Sequence, residues 1–201
     1  TPALAMLTGT LRASLGVMIS ASHNTYEDNG LKIFDNNGYK ISENLENKIE
    51  SLVLNKEKYE RINNENITTG RTKRLEDAAG RYTESIKKTF TKNKTLKGLK
   101  IVIDCANGAN YKVAPETLWE LGCEIIVIGN NPDGVNINKN CGSVNPQNMS
   151  KKVIEESADI GISFDGDGDR LIISDEKGNI IDGDKIIALL VKEYSKKNKL
   201  R

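Results

Sequence analysis

The amino-acid sequence predicts an α/β protein with mixed, largely parallel sheets flanked by helices. Short apolar runs that predict strands alternate along the chain with segments whose apolar residues recur at helical spacing. A strand, a helix and a second strand follow one another within about 30 residues after Leu99, and such a unit joins parallel strands by a right-handed crossover. Two further apolar runs flank the turn Asp175–Asn179 and predict a hairpin, which adds antiparallel strands to the sheet.

The first elements follow from leucine spacing and from apolar runs. Leucines recur every three or four residues between Ala3 and Leu15, which predicts a helix that Gly16 ends. The run Val17–Ile19 predicts a short buried strand, and Leu31–Phe34 predicts a second strand after a polar loop. A polar loop therefore connects the two predicted strands, and a binding site can form in such a loop.

The next segment carries a turn, two helices and two polar connections. Asp35–Gly38 is a strong turn signal, and Ser42 is placed to cap a helix that extends to Leu52. The polar segment Lys56–Arg74 predicts a mobile connection, and Asp77–Phe90 predicts a helix. The basic stretch Lys92–Lys97 predicts a linker, so we expect two domains, at residues 1–95 and 96–201.

The second half alternates strands and helices more regularly. Three apolar runs predict strands and three periodic segments predict helices, with a long loop rich in Asn, Gly and Pro at residues 130–146. The predicted strands are Leu99–Asp104, Glu124–Ile128 and Ile160–Phe164, and the predicted helices are Pro115–Leu121, Gln147–Ser157 and Asp184–Lys196.

The composition excludes several classes of protein. The chain has 201 residues, 29 Lys and Arg against 28 Asp and Glu, and a formal net charge of +1, which argues against a nucleic-acid-binding protein. A single histidine excludes zinc sites that need two. Three cysteines without a close pair predict reduced thiols in a cytoplasmic protein. No apolar run approaches the roughly 18–20 residues that cross a membrane, and the start at Thr1 without a methionine predicts that an upstream segment is missing.

Three aspartates alternate with glycines directly after the predicted strand Ile160–Phe164. In the run Asp165–Arg170, glycines allow the backbone to curl so that the three carboxylates face one point. Carboxylates so close repel one another unless a cation neutralises them, and oxygen ligands suit Mg²⁺. Arg170 can neutralise these carboxylates or hold a phosphate oxygen with its planar guanidinium. The sequence therefore predicts a magnesium site at Asp165, Asp167 and Asp169.

An EF-hand is the rival interpretation of the same aspartates. Asp165, Asp167 and Asp169 occupy the first, third and fifth positions of such a loop, and Glu176 falls at the twelfth. The sixth position needs a glycine but holds Arg170, and predicted strands flank the cluster where an EF-hand has helices. These two mismatches exclude the EF-hand.

The only histidine lies in the run Ser20–Asn24, after the predicted strand Val17–Ile19. By itself, a serine beside a histidine is a weak signal, and the loop has no nucleophile elbow of the hydrolase type. Taken alone, His23 is a hydrogen-bonded loop residue. Ligands in open α/β sheets gather beyond the carboxyl ends of strands, so we expect this run and the acidic run to share a site.

Together, these motifs resemble the α-D-phosphohexomutase superfamily, and within it the bacterial members that act on glucosamine phosphates. The resemblance covers nearly the whole chain, which departs from it by carrying Thr25 and Gly168 where proline and alanine are usual. It is carried by Gly16–Asn24, Asn29–Lys32, Val102–Ala109, Tyr111–Pro115, Leu118–Gly122, Asp165–Arg170 and Asp182–Asp184.

The resemblance implies repeated phosphohexomutase-type domains and a phosphoserine enzyme. It assigns a phosphoryl group to Ser22, next to His23, and a Mg²⁺ ion held by the phosphoserine and the three aspartates. Lys32 matches a family lysine proposed to assist proton transfer. The implied reaction interconverts glucosamine 6-phosphate and glucosamine 1-phosphate through a 1,6-bisphosphate, in the supply of UDP-N-acetylglucosamine and cell-wall precursors.

Other functions stay open at this point. The family has four domains, and this chain corresponds to the back half of the first and to the second, so the sugar-recognition loop and the phosphate clamp are missing. A sibling phosphomannomutase or phosphoglucomutase is the main alternative, and glycine is common there at position 168. A non-catalytic magnesium- or phosphate-binding module is a second alternative. A phosphatase with Asp165 as nucleophile is more distant, because it leaves Ser22 without a role.

Overall fold

The computed structural model describes residues 1–63 and 70–197 of the chain. The helices and strands alternate as an α/β protein requires, and the predicted fold class is confirmed. In chain order the elements are α1 (Pro2–Thr10), β1 (Gly16–Ile19), β2 (Leu31–Phe34), α2 (Glu43–Leu54), α3 (Lys56–Asn63), α4 (Ala78–Thr89), β3 (Lys100–Asp104), α5 (Val113–Glu120), β4 (Glu124–Ile128), α6 (Gln147–Glu155), β5 (Ile160–Phe164), β6 (Leu171–Ser174), β7 (Ile180–Ile181) and α7 (Gly183–Lys196).

Two predictions about helices in the first half are wrong. Helix α1 ends at Thr10 and does not continue to Leu15, because Arg12 adopts a left-handed φ of 53° that stops the helix. Part of the predicted connection Lys56–Arg74 is helix α3. This segment is rich in Lys, Glu and Arg, which favour a helix, and it contains no Gly or Pro. The rest of that prediction falls partly on residues 64–69, which lie outside the described residues.

Strands β1 and β2 form a two-stranded antiparallel sheet. The prediction that Val17–Ile19 is buried is wrong: Val17 is 45% exposed and Ile19 is 67% exposed. Gly16 is buried and Met18 is partly buried, so Val17 and Ile19, which alternate with them, lie on the less covered face of this sheet. Helix α2 begins as predicted, with the Ser42 hydroxyl accepting a hydrogen bond from Leu45 N at 3.4 Å.

Five strands form the second sheet, in the order β4–β3–β5–β6–β7. Strand β3 pairs in parallel with β4 and β5, which confirms the strand–helix–strand unit. Strands β6 and β7 continue the sheet in antiparallel pairing, which confirms the hairpin and the mixed sheet. None of the helices within the described ranges is long and apolar enough to span a lipid bilayer.

Helices cover both faces of this sheet at β3. Ile103 packs with Leu118 of α5 in one apolar cluster, and the neighbouring Val102 packs with Met149 and Val153 of α6 in another. Adjacent residues of a strand point to opposite faces, so β3 is buried on both sides. Burial of each such side chain contributes about 1.5–3 kcal/mol, which fixes the register of the central strands and the loops that follow them.

Candidate active site and metal centre

The acidic loop (Asp165–Arg170) and the serine loop (Ser20–Asn24) meet at the carboxyl end of β5. Asp165 directly follows β5, and Ser22 lies in the loop between β1 and β2. The Ser22 hydroxyl donates a hydrogen bond to Asp165 Oδ2 at 3.0 Å, across 143 positions of sequence. The structure thus brings together the two polar runs that the sequence singles out.

The three aspartates form one cluster of carboxylates. One oxygen atom from each of Asp165, Asp167 and Asp169 lies within 4.8 Å of the others. Asp165 is 0% exposed and Asp167 is 2% exposed. Gly168 has a φ of 69°, in the left-handed region that glycine adopts without strain, and this lets the loop turn between the last two aspartates. The backbone N–H groups of Asp169 and Arg170 both donate to Asp165 Oδ1 at 3.1 Å and fix that carboxylate.

This cluster can hold a metal ion. Its donor atoms are carboxylate oxygens, which hard divalent cations prefer. Asp167 Oδ1 is buried and has no hydrogen-bond partner among the described residues, although buried polar atoms are normally satisfied. An acceptor of this kind inside a carboxylate cluster fits a cation.

Lys32 of β2 lies against two of these carboxylates. Its ammonium nitrogen Nζ is 2.6 Å from Asp167 Oδ2 and 2.8 Å from Asp169 Oδ2. Burial alone lowers the pKa of Lys32, but the hydrogen bonds to the two aspartates outweigh it and raise that pKa. Burial likewise opposes the ionisation of Asp167, yet the hydrogen bonds from Lys32 and Thr1 lower its pKa to about 2. The carboxylate of Asp167 and the ammonium of Lys32 are therefore both charged at neutral pH.

The serine loop holds Ser22 in a strained backbone conformation. Ser22 has a φ of 56°, and a non-glycine residue in this region costs about 1–3 kcal/mol. Ser22 N donates to the hydroxyl of Ser20 at 2.8 Å, and Ser20 N donates to Gly30 O at 2.9 Å. These bonds tie the loop to itself and to the chain that leads into β2.

Arg170 joins the serine loop to the acidic loop. Its Nη2 donates to Ser22 Oγ at 2.6 Å and lies 2.5 Å from His23 Nδ1, while its Nε donates to Asp165 Oδ2 at 3.2 Å. A guanidinium only donates, so His23 Nδ1 is the acceptor in this contact. The Ser22 hydroxyl oxygen consequently lies between a carboxylate acceptor and a cationic donor.

The sequence did not single out Thr1 or Asn138 as site residues. The Thr1 hydroxyl donates a hydrogen bond to the carboxylate of Asp167. Asn138 Nδ2 donates to Ser22 O at 2.9 Å and to Asn24 O at 2.8 Å. The sequence offers no signal that separates Asn138 from Asn136 and Asn140, which lie at equal spacing in the same loop.

A cavity of about 390 Å³ opens beside the serine loop. Its wall includes Ser22, Asp167 and Gly166, so both loops face it. A larger cavity of about 550 Å³ lies next to it and shares Asn107 with it, but the three carboxylates do not line that space. The smaller cavity is therefore the one that can present a ligand to Ser22.

Two family models match the chain. The model for the alpha/beta/alpha domain I of phosphoglucomutase/phosphomannomutase matches residues 1–60. The model for domain II of the same family matches residues 80–178. The serine loop lies in the first match and the acidic loop in the second.

Curated relatives align over the whole chain. The phosphoglucosamine mutase of Granulibacter bethesdensis is 55% identical over 100% of this chain, and that of Parvibaculum lavamentivorans is 54% identical over 96%. The chain spans only 44% and 43% of the length of these two relatives.

Solved structures share the fold. A phosphoglucomutase/phosphomannomutase family protein from Burkholderia thailandensis aligns with a TM-score of 0.70 at 28% identity, over 92% of this chain and 38% of its own. The apo form of an N-acetylglucosamine-phosphate mutase aligns with a TM-score of 0.59 at 19% identity, over 97% of this chain and 52% of its own. At the lower identity, the likeness concerns the fold alone.

Proposed function

The chain belongs to the phosphoglucomutase/phosphomannomutase family, and we propose that it is part of a longer phosphoglucosamine mutase. That enzyme would interconvert glucosamine 6-phosphate and glucosamine 1-phosphate through a phosphoserine at Ser22. The observation that carries this proposal is the position of Ser22 Oγ, hydrogen-bonded to Asp165 and Arg170 at the edge of the carboxylate cluster. The identity of 54–55% to curated phosphoglucosamine mutases supports the choice of substrate.

We propose that residues 1–95 are part of the first domain of this enzyme and that residues 96–201 are its second domain. The three buried and free cysteines, Cys105, Cys123 and Cys141, support a cytoplasmic location. Proposed partners are the glucosamine phosphates and their bisphosphate, with no nucleic acid or membrane.

The chemistry needs a phosphoryl carrier and charge compensation. In the first half-reaction, the C1 hydroxyl oxygen of glucosamine 6-phosphate bonds to the phosphorus on Ser22 while the Ser22 Oγ–phosphorus bond breaks. The product is glucosamine 1,6-bisphosphate, the hydroxyl proton leaves to a base, and Ser22 Oγ takes up a proton. In the second half-reaction, Ser22 Oγ bonds to the phosphorus of the 6-phosphoryl group while the bond from that phosphorus to the C6 oxygen breaks. Ser22 Oγ gives up its proton and the C6 oxygen takes one up, which leaves glucosamine 1-phosphate and a phosphorylated Ser22.

Several residues of this chain have roles in that transfer. Arg170 donates to Ser22 Oγ and stabilises negative charge on this oxygen when the phosphoryl group leaves. His23 accepts from the same guanidinium and orients it. Lys32 Nζ lies 2.6 Å from Asp167 Oδ2 and 2.8 Å from Asp169 Oδ2, so its ammonium group places positive charge beside the proposed metal ligands and can donate a proton in the transfer.

We propose Mg²⁺ as the metal ion, held by Asp165, Asp167, Asp169 and a phosphate oxygen on Ser22. When bound, it neutralises charge on the transferring phosphoryl group. The oxygen-only donor set and the unpartnered Asp167 Oδ1 support this choice.

A Ser22→Ala variant of the full-length protein tests the proposal. Turnover of glucosamine 6-phosphate should fall below detection, and the mass of one phosphate should disappear from the intact protein. Ser51→Ala is the matched control, because Ser51 is exposed on α2 and its hydroxyl bonds only to Lys48 O among the described residues. Full activity of Ser22→Ala would refute the proposal.

A phosphomannomutase or phosphoglucomutase is the second candidate. The match of the family models to phosphoglucomutase/phosphomannomutase domains favours it, as does the likeness to the Burkholderia thailandensis structure. Rates of the full-length protein on the 6-phosphates of glucosamine, mannose and glucose decide between the candidates. No activity on any of the three would favour a non-catalytic module.

A further inference from the structure

Asn138 contacts the serine loop from the long loop between β4 and α6. Its Nδ2 donates to Ser22 O at 2.9 Å and to Asn24 O at 2.8 Å, so one amide group bridges the carbonyl groups of the two residues that flank His23. Both hydrogens of this NH₂ group are used. Asn138 is 2% exposed, so the contact is shielded from water.

The orientation of this amide is unambiguous. If it were flipped, Oδ1 would face two carbonyl oxygens, which cannot donate. In the observed orientation, Asn138 Oδ1 is buried and has no hydrogen-bond partner in the described ranges. An unpartnered buried oxygen lowers stability, which offsets much of what the two hydrogen bonds to the serine loop contribute to the stability of the fold.

Asn138 is itself anchored to the rigid part of the second sheet. Asn138 N donates to Ala106 O at 2.9 Å, and Ala106 follows β3 and is 0% exposed. Gly166 of the acidic loop packs against the same point, because a Cβ there would lie 2.7 Å from both Asn138 Nδ2 and Ser22 O. The serine loop, the acidic loop and Asn138 therefore meet without room for another atom.

Asparagine meets two requirements at this position. The backbone of residue 138 has a φ of 57°, which asparagine adopts more readily than most residues. The side chain must also donate two hydrogen bonds at short range, which neither aspartate nor glycine can do.

We propose that Asn138 is a positioning residue that fixes the backbone around His23 and thereby holds Ser22 Oγ against the acidic loop during phosphoryl transfer. The effect on turnover rests on the proposed function, whereas the effect on the loop does not. Asn138 touches no reacting atom and acts only through the carbonyl groups of Ser22 and Asn24. Its loss should therefore slow the transfer and leave sugar binding unchanged.

Two variants of the full-length protein remove the donor in different ways. Asn138→Asp keeps the size of the side chain but places oxygen against both carbonyl groups, and Asn138→Gly keeps the left-handed backbone but removes the side chain. Asn140→Asp is the matched control, because Asn140 also has a left-handed φ, of 56°, but is exposed. Within the described residues, no hydrogen bond joins Asn140 to the serine loop.

Steady-state kinetics on glucosamine 6-phosphate should separate positioning from binding. Both Asn138 variants should lose about 100-fold in kcat, the effect of misplacing a reacting group by roughly 1 Å, with KM unchanged within about twofold. Asn140→Asp should match the wild type. A rise in KM with kcat unchanged, or activity of both Asn138 variants at the level of Asn140→Asp, would overturn the proposal.

Hydrogen–deuterium exchange of residues 18–28 tests the same idea without activity. The amide of Asn24, which donates to Ala21 O, should exchange at least about tenfold faster in both Asn138 variants, the change expected when a hydrogen bond is lost. Unchanged exchange would overturn the positioning role even if the wild type had no mutase activity. Unfolding of both variants at assay temperature would also overturn it, because it would assign Asn138 to the stability of the whole fold.

Discussion

A single methyl group at Gly108 should displace the acidic loop. Gly108 is buried and outside the left-handed region, so alanine suits its backbone. Its Cβ, however, would lie 2.3 Å from Gly166 O and 2.6 Å from Gly166 Cα. These are backbone atoms, so no side chain can rotate away, and Ala109 N already holds Gly166 O by a hydrogen bond of 2.8 Å.

The size of the effect follows from these distances. Ordinary contact with a Cβ begins at 3.4 Å, so Gly166 has to retreat by about 1 Å, a displacement that can cost about 100-fold in rate. Overpacking of this kind costs about 1–3 kcal/mol. For a chain of this length, 2 kcal/mol lowers the Tm by roughly 4–8 °C. Because Gly166 lies between Asp165 and Asp167, Mg²⁺ affinity should fall about 10–100-fold, as when the surroundings of metal ligands are disturbed.

Calorimetric titration with Mg²⁺ and thermal unfolding followed by circular dichroism measure the two effects of Gly108→Ala. Gly70→Ala is the matched control, because a Cβ at Gly70 meets no atom within 4 Å. If Gly108→Ala binds Mg²⁺ like the wild type and unfolds at the same temperature, the close approach of these two backbone segments does not position the carboxylates, and the reasoning is refuted.

Three further predictions concern other parts of the fold. Gly80→Ala, at an exposed position of α4 where a Cβ meets no atom within 4 Å, should raise the free energy of unfolding by about 0.5–1 kcal/mol in a urea titration. Burial raises the pKa of Cys105 to about 12 and that of Cys141 to about 11, so intact mass should show neither alkylated by iodoacetamide at about pH 8 until urea unfolds the protein. Although burial opposes it, the bond from Lys32 lowers the pKa of Asp167 to about 2, below the roughly 3.9 of an unfolded chain. The wild type should therefore be more stable than Asp167→Asn by a constant amount above about pH 4, and this difference should vanish as the pH falls through about 2. Urea unfolding midpoints of the two proteins, measured across this pH range, give the difference.

Most elements of the second sheet could be predicted because their apolar patterns reflect burial on two faces. Lys100–Asp104 and Ile160–Phe164 are central strands whose neighbours cover them, and the sequence locates both within one residue. The pattern of Val17–Ile19 is equally apolar, yet the side chains are exposed. An apolar run indicates a surface that is stabilised by packing, but it does not identify the segment that packs against it.

The polar composition of α3 explains why that helix was predicted as a connection. Lys56–Asn63 carries few apolar residues, so its sequence has the composition of a connection. Intrinsic helix propensity, which is high for Lys, Glu and Arg, favours the helix without an apolar face.

The site was partly predictable for a different reason. Three aspartates separated by glycines have few uses besides holding a cation, so their types and spacing were informative. Asn136, Asn138 and Asn140 repeat at equal spacing and look alike in the sequence. Only the fold decides that Asn138 faces the serine loop, because the orientation of a loop side chain depends on contacts that are distant in sequence.

The charges of the site link the metal ion to the phosphoserine. The side chains of the cluster bring three carboxylates against the two cations of Lys32 and Arg170, which leaves an excess of negative charge. A phosphoryl group on Ser22 adds about −1.5 to −2 more at neutral pH, so it repels the carboxylates unless a divalent cation is present. Binding free energies are reciprocal. Each of the two should therefore raise the affinity of the site for the other, and Mg²⁺ should bind the phosphorylated protein more tightly than the unphosphorylated one.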